Sequence, residues 1–331
     1  MKARYLYINI CMLTALAFSS CEHKDLCLHH PHTTKIRVQF DWQNVPGAKV
    51  EGMCVWFYPL AEGMYPSRYD FRGMAGGEVE LEAGTYRIIC HNNDSEVDLC
   101  QGSEDFFSHL VYTRDGDIFE PVYGNVSGIT PRAIENEHIA ICPEMFYGYH
   151  VVDVEITGSG MSYVHDSGKG PTKGEETGDQ VITLYPAEEV CTYTYEIRNV
   201  QNISLATQMS GSLSGMAHGL YLGTEELEHN CVTIPFEAVS DGVSNVTGKF
   251  YTYGHCKVHD ERTIFNLYVW MKDGKKYYYS FDVTDQVDNA PDKRHVHIII
   301  DGPEFPKPIE DGSGFDVGVD DWDNVYEDII M

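Results

Sequence analysis

Apolar and polar residues alternate with a period of two along most of the chain. KIRVQFDW (35–42) alternates strictly, and GMCVWFYPL (52–60) is a denser apolar run. EVELEAGTYRIIC (78–90) reads as two strands about Ala83-Gly84, while VVDVEIT (151–157) and QVITLYP (180–186) flank a stretch rich in Gly, Ser, Thr and Lys. CTYTYEIRN (191–199), CVTIPFEAV (231–239), GKFYTYG (248–254) and HVHIII (295–300) continue the pattern. FNLYVWMKDGKKYYYSFDV (265–283) predicts a hairpin, with Asp273-Gly274 as a two-residue type I′ turn. Helical spacing is confined to 103–112 and 130–137. Many short strands separated by turn signals predict an all-β chain of sandwiches or barrels. With 331 residues the chain is long enough for two such domains. The expected division is 35–187 and 188–303, parted near Pro186-Ala187-Glu188-Glu189, with no internal repeat visible in the sequence.

The first residues follow a different logic. Met1-Lys2-Ala3-Arg4 is basic, Tyr5 to Phe18 is apolar, and Ser19-Ser20 precede Cys21. A basic start, a short greasy core and small residues before a cut are the parts of a secretory signal. The run is short of the roughly 20 apolar residues that a membrane span needs. Phe18-Ser19-Ser20-Cys21 is similar to a bacterial lipobox, with Phe18 in place of the usual Leu. Residues 1–20 are therefore expected to be a lipoprotein signal peptide, Cys21 the lipidation site, and 21–34 a tether. Cys27, His23, His29, His30 and His32 in that tether lack the paired spacing of a structural zinc site.

Composition narrows the function. A net charge of −28 opposes binding to nucleic acid or anionic lipid through general electrostatics. Setting aside Cys11 and Cys21, eight of the ten cysteines remain. Several, such as Cys54 and Cys90, lie inside strand-like runs where a thiol serves as a small core hydrophobe. Cys90 and Cys100 are the candidate clasp of the acidic loop between them. Enzyme signals are poor. GSLSG (211–215) places Leu213 where a nucleophile elbow needs Ser, and GKGPTKG (168–174) lacks the ending of a phosphate loop. His295 and His297 share one face of a strand without a third ligand, and Asp115-Gly116-Asp117 reads as a turn. The chain is expected to be no enzyme and to carry no cofactor and no metal.

The C-terminal segment 304–331 is acidic, with eight acids and no base in EDGSGFDVGVDDWDNVYEDIIM (310–331). Such a run is ordinarily a solvated tail. Its alternative is a donor strand, since Phe315, Val317 and Val319 alternate with Asp316, Gly318 and Asp320, and Trp322 follows. Asp320, Asp321 and Asp323 lack the spacing and the glycine of an EF-hand calcium loop.

Taken in order, the lipobox, VQFDW (38–42), LEAGTYRIICHNND (81–94), TYTYEIRNVQNI (192–203) and SGSLSGMAHGLYL (210–222) resemble the Bacteroidales fimbrillin-type lipoproteins. The resemblance spans nearly the whole mature chain and is nearest to a little-characterised fimbrial or adhesion branch. It implies two transthyretin-like Greek-key β-sandwiches, a lipid-anchored place on the outer membrane, and a role as a type V pilus subunit or adhesion protein. It also implies, as partners, other fimbrial subunits or host and bacterial surface ligands, with the membrane reached through the lipid. Pilins of this group lose their first strand to a trypsin-like protease, and another subunit's terminal strand fills the groove by strand addition. Here the loop QNVPGAKVEG (43–52) behind the first strand offers Lys49 as the candidate processing residue, and no Arg. Arg68 and Arg72 come only after the second strand. A subunit that stays uncut suits an anchor or accessory position. The alternative reading is a surface glycan-binding lipoprotein of a nutrient-uptake system, for which the many Tyr and four Trp would supply stacking platforms. Trp42, Trp56 and Trp270 fall within strands and are expected in the core instead.

The signal reading is directly testable. Cys21→Ala is expected to abolish lipid labelling and to move the protein out of the membrane fraction. Unchanged fractionation with full lipid label contradicts it.

Overall fold

The strict alternation at 35–42 becomes a strand in which every second side chain is inside: Thr34, Ile36, Val38 and Phe40 are buried and their neighbours exposed. A computed structural model describes residues 33–123, 138–157, 180–256, 262–307 and 323–325. In chain order the strands begin β1 (Thr33–Phe40), β2 (Gly52–Pro59), β3 (Ser67–Arg72), β4 (Gly76–Glu82), β5 (Gly84–Asn92), β6 (Asp98–Gln101) and β7 (Leu110–Thr113). The helical turn α1 (Glu120–Tyr123) precedes β8 (His138–Ile139), β9 (Tyr147–Ile156), β10 (Gln180–Leu184), β11 (Ala187–Glu188) and β12 (Cys191–Arg198). There follow β13 (Ala206–Ala217), β14 (Gly219–Tyr221), β15 (Glu226–Leu227), β16 (Cys231–Glu237), β17 (Val239–Ser240), β18 (Val246–Thr252), β19 (Ile264–Met271) and β20 (Lys276–Asp282). The helix α2 (Thr284–Asp288), β21 (His295–Asp301) and β22 (Asp323–Val325) complete the list. The all-β expectation holds over these residues.

Two sandwiches repeat one topology. In the first, β1 lies between β4, antiparallel, and β10, parallel; the facing sheet runs β3-β2-β5-β9, with β11 added at its end. In the second, β12 lies between β18, antiparallel, and β21, parallel; the facing sheet contains β16-β13-β19-β20. Numbering the main strands within each sandwich, the first sits between the fourth and the seventh, opposite a sheet ordered third, second, fifth, sixth. The sequence shows no repeat because the topology requires only the period-two pattern, which dissimilar residues satisfy equally well. The first core is aliphatic and aromatic, with Ile36, Val38, Val55, Phe57 and Ile88. The second is aromatic: Phe236 and Phe250 stack at 3.9 Å, and Tyr195 meets Phe265 at 4.9 Å. The Tyr195 hydroxyl donates to the Glu237 carbonyl at 2.9 Å, so its polar tip is satisfied at the core edge.

The connection from β5 to β9 does not stay with the first sandwich. Its β6 and β7 pair with β14 and β15 of the second to make a four-stranded bridging sheet, β15-β14-β7-β6. Phe106 and Val111 of this connection pack with Tyr58, Ile89, Leu220 and Leu222 in a third core between the sandwiches. Farther along, Phe119 meets Tyr268 and Trp270 edge-on at 5.2 and 5.0 Å, and β8 adds to β16 in parallel. Val190, fully buried in the third core, leaves little slack where the chain passes from β11 to β12.

Three local expectations are corrected. Residues 103–112 are turns followed by the start of β7, not a helix, because Leu110 and Val111 pair with Tyr221 and Leu220 across the bridging sheet. The hairpin of β19 and β20 closes through Lys272-Asp273-Gly274, with the Met271 amide donating to the Lys275 carbonyl at 2.8 Å. Only Gly274 takes a positive φ, +85°, so the turn is of the three-residue kind with glycine in the left-handed position, not type I′. Cys90 and Cys100 are both free: Cys90 turns into the first core while Cys100 is exposed. The disulfide among the described residues joins Cys231 to Cys256 across 25 residues, with Cα atoms 5.7 Å apart. Candidate helix 130–137 lies outside the described residues.

One buried acid marks the junction. Glu189 follows β11, is 7 % exposed, and has no hydrogen-bond partner at Oε2. Burial, then the Glu225 carboxylate, pushes its pKa from 4.5 up to about 7, against the pull of Arg294. The folded state therefore holds a proton there that the unfolded chain releases from about pH 4.5 upward. This contribution is full below the unfolded value and is lost as the pH rises through about 7. Glu189→Gln, which fixes the neutral form, is expected to be more stable than wild type at about pH 8, by on the order of 2 kcal/mol, and to converge with it near pH 5. Thermal melts of both proteins across that range check it; a difference independent of pH contradicts it.

Candidate functional site: the first strand and the tail strand

In a protein made of sheets, the positions able to exchange or accept a strand are edges and terminal strands. The first strand is fixed on three sides. It makes seven residue pairs with β4, from Thr33–Glu82 to Gln39–Gly76, and five with β10, from Ile36–Gln180 to Phe40–Leu184. Its buried face rests on the facing sheet, where Phe40 meets Phe71 edge-on at 5.8 Å. Gly76 allows the tight approach of β4: a Cβ there would come within 2.2 Å of the Val38 carbonyl oxygen, and its φ is +86°. Lys35 and Glu80 lie 3.7 Å apart on the wet face, and the Gln39 amide donates to the Thr183 hydroxyl at 2.8 Å. Burial of Ile36, Val38 and Phe40 alone is worth on the order of 6 kcal/mol. Loss of β1 would also unpair β4 and β10 along one side.

Lys49, the candidate processing residue, is exposed in the loop between β1 and β2. Its surroundings are tied down. The Trp42 indole N–H donates to the Met74 carbonyl at 3.0 Å, and the Asn44 amide to the Tyr185 carbonyl at 3.1 Å. The buried Ala48 donates its N–H to Val45 at 2.9 Å, and the Glu51 N–H reaches the Asp94 carboxylate at 2.7 Å. A protease that reads an extended segment needs this loop to open first.

At the other end of the chain, β22 pairs in parallel with β20: Asp323 with Tyr277, Asn324 with Tyr278, and Val325 with Tyr279. It thereby occupies the sixth-strand edge of the second sandwich, the position that β11 occupies in the first. The candidate donor-strand residues Phe315, Val317, Val319 and Trp322, and the candidate lipidation site Cys21, lie outside the described residues. The sequence pattern places an edge strand within 315–330, and β22 falls inside that range, in a segment whose three residues are too few to show alternation.

Two further edges, β3 and β21, are polar. Strand β3 presents exposed Arg68, Asp70 and Arg72, with Arg68 bound to Asp70 at 2.7 Å. Strand β21 presents exposed His295 and His297; His295 lies 2.9 Å from Asp292, and His297 2.9 Å from the Thr194 hydroxyl. Charged and polar edges of this kind discourage unprogrammed pairing. The tryptophans expected in the core are spent on packing: Trp42 meets Tyr147 at 5.7 Å, Trp56 meets His109 at 5.4 Å, and Trp270 is 7 % exposed. No helix among the described residues is long and apolar enough to cross a membrane.

Comparison with known proteins agrees with this geometry. A curated protein of Bacteroides ovatus named "Putative fimbrium anchoring subunit Fim4B" is 21% identical over 259 residues, which is 77% of this chain and 67% of that protein. A crystal structure described as a putative adhesin from Bacteroides ovatus has the same fold, with a TM-score of 0.57 and 18% identity over 87% of this chain and 99% of its own. The fimbrial anchor protein Mfa2 from Porphyromonas gingivalis aligns at 14% identity over 80% of this chain and 90% of its own, with a TM-score of 0.43. The resemblance read from the sequence thus finds its counterparts among Bacteroidales fimbrial and adhesin proteins. Residues 20–237 match the family described as a domain of unknown function, DUF5119, and the chain belongs to that family.

Proposed function

We propose that the protein is a fimbrillin-like structural and adhesion protein of the cell surface, held by lipid at Cys21 and serving as an anchor or accessory subunit of a fimbrium. The observation that carries this reading is the first strand, built into its own sandwich between β4 and β10 with Ile36, Val38 and Phe40 buried. A stalk subunit must surrender that strand to open a groove for its neighbour. A subunit at the base has no such need, and here the loop that would be cut is pinned around Lys49. The name of the Bacteroides ovatus relative supports the same place in the assembly.

The finer features belong to this proposal. The two sandwiches, assigned to 35–187 and 188–303, are transthyretin-like Greek keys; the repeated strand order supports this. The lipid at Cys21 places the protein on the outer membrane, and its partners are other fimbrial subunits. Its role is structural, with no reaction catalysed. The tail 304–331 acts as a strand in cis, a reading supported by the β22–β20 pairing, with Phe315, Val317, Val319 and Trp322 as the proposed donor-strand residues. The glycan-binding alternative lacks its main support, since Trp42, Trp56 and Trp270 pack against the protein itself.

Peptide mapping of the protein taken from its native cell surface tests the anchor reading. A continuous peptide spanning Lys49-Val50 is expected, with residues 33–48 still covalently attached. Quantitative cleavage after Lys49 with loss of those residues contradicts it and returns the protein to the stalk class.

A further inference from the structure

The outer face of the first sandwich carries a cluster that the assembly role does not use. Strand β2 sends Met53, Val55 and Phe57 into the first core, so Cys54, Trp56 and Tyr58 point the other way, toward the bridging sheet. On β5, His91 lies directly opposite Cys54 in the antiparallel register. Strand β6 brings Cys100 over this face, and the residue preceding β7 is His109.

The atoms converge. Cys54 Sγ is 3.1 Å from His91 Nε2, and Cys100 Sγ is 4.0 Å from the same nitrogen. One ligand atom from each of His91, Cys100 and His109 falls within 4.8 Å of the others. The His91 Nδ1 is 2.8 Å from the Asn92 carbonyl oxygen, to which only an N–H can donate. That bond fixes the proton on Nδ1 and turns the lone pair of Nε2 toward both sulfurs. His109 is fully buried; its Nδ1 is held by the Tyr58 hydroxyl at 2.6 Å, and its Nε2 has no hydrogen-bond partner. A buried imidazole nitrogen left without a partner is costly, and a metal ion is a partner it can take. Phe146 stacks on His91 at 5.3 Å and Trp56 meets His109 edge-on at 5.4 Å, which walls the cluster in. Cys100 is exposed and gives an ion a way in.

We propose that Cys54, His91, Cys100 and His109 form a four-ligand site for Zn2+ that fastens the bridging sheet to the first sandwich. Two sulfurs and two imidazole nitrogens are the donor set of a closed structural zinc site. Bond lengths of about 2.0 Å to nitrogen and 2.3 Å to sulfur set ligands roughly 3.5 Å apart. His91, Cys100 and His109 close by about 1 Å on binding, whereas Cys54, which touches His91 but lies outside that group of three, must swing farther to become the fourth ligand. Asn92 and Tyr58 already hold the outer ring nitrogens, as second partners do in metal sites. Zn2+ displaces one proton from each thiol, and the two thiolates balance its charge. No spaced motif announces the site, since the four residues meet only through the register of β2 with β5 and the return of β6.

The test uses the whole reduced protein with Co2+ and Zn2+ as probes. One Co2+ per chain is expected, with the intense visible bands of tetrahedral cobalt and thiolate charge transfer, both bleached by one equivalent of Zn2+. Cys100→Ser and His109→Gln are each expected to weaken Zn2+ binding by about a hundredfold or more, and Tyr58→Phe by about tenfold. His109→Cys, which keeps a ligand, is expected to bind with added thiolate character and so separates lost ligation from lost folding. Absence of stoichiometric tetrahedral cobalt, binding unchanged in Cys100→Ser and His109→Gln, or a Cys54–Cys100 disulfide in protein from the cell surface each overturns the proposal. None of these outcomes depends on the fimbrial reading.

Discussion

Each sandwich is closed by its first strand. β1 and β12 stand at the centre of their sheets, and each joins the start of its domain to the end through a parallel pair, β1 with β10 and β12 with β21. Parallel neighbours cannot be joined by a tight turn, so these contacts form only after the intervening chain is in place. Removing such a strand would leave two strands unpaired on one side and expose a core face. In the first sandwich that face is lined by Met53, Val55, Phe57 and Ile88. An open apolar groove is useful to a polymerising subunit and a hazard to one that does not polymerise. The filled groove is therefore the feature on which the anchor reading depends.

The two sandwiches are joined more firmly than a two-domain chain requires. The bridging sheet takes two strands from each side, and its third core buries Val190 where one sandwich leads into the next. The Tyr253 hydroxyl from the second sandwich donates to Asp98 of the bridging sheet at 2.7 Å. Together with Phe119 on the face made by Tyr268 and Trp270, these contacts hold the two sandwiches against each other. The Cys231–Cys256 disulfide closes a 25-residue loop in the second sandwich. It is compatible with export to an oxidising compartment and adds stability on the order of 3 kcal/mol.

What was legible in the sequence was whatever depends on local period. The strand at 35–42, the pair about Ala83-Gly84 and the hairpin at 265–283 are set by alternation and turn residues, and all appear as strands. The segment 103–112 misled because its apolar residues answer to distant neighbours: Leu110 and Val111 are fixed by β14, more than a hundred residues away. The hairpin turn was misjudged by one residue, since Asp-Gly serves a three-residue loop as well as a two-residue one. The pairing of Asp323–Val325 with Tyr277–Tyr279 of β20 is a long-range register that no local pattern announces. The repeated topology was invisible for the same reason: strand order is a property of long-range pairing.

Whether the first strand is a permanent part of its own sandwich is read directly by hydrogen–deuterium exchange. The amides of Arg37 to Phe40 should exchange as slowly as those of Val55 and Phe57 in the facing sheet, both opening only through global unfolding. Exchange of 36–40 at a rate well above that of β2, through an opening that leaves the rest of the sandwich protected, would show a strand poised to leave and would contradict the account.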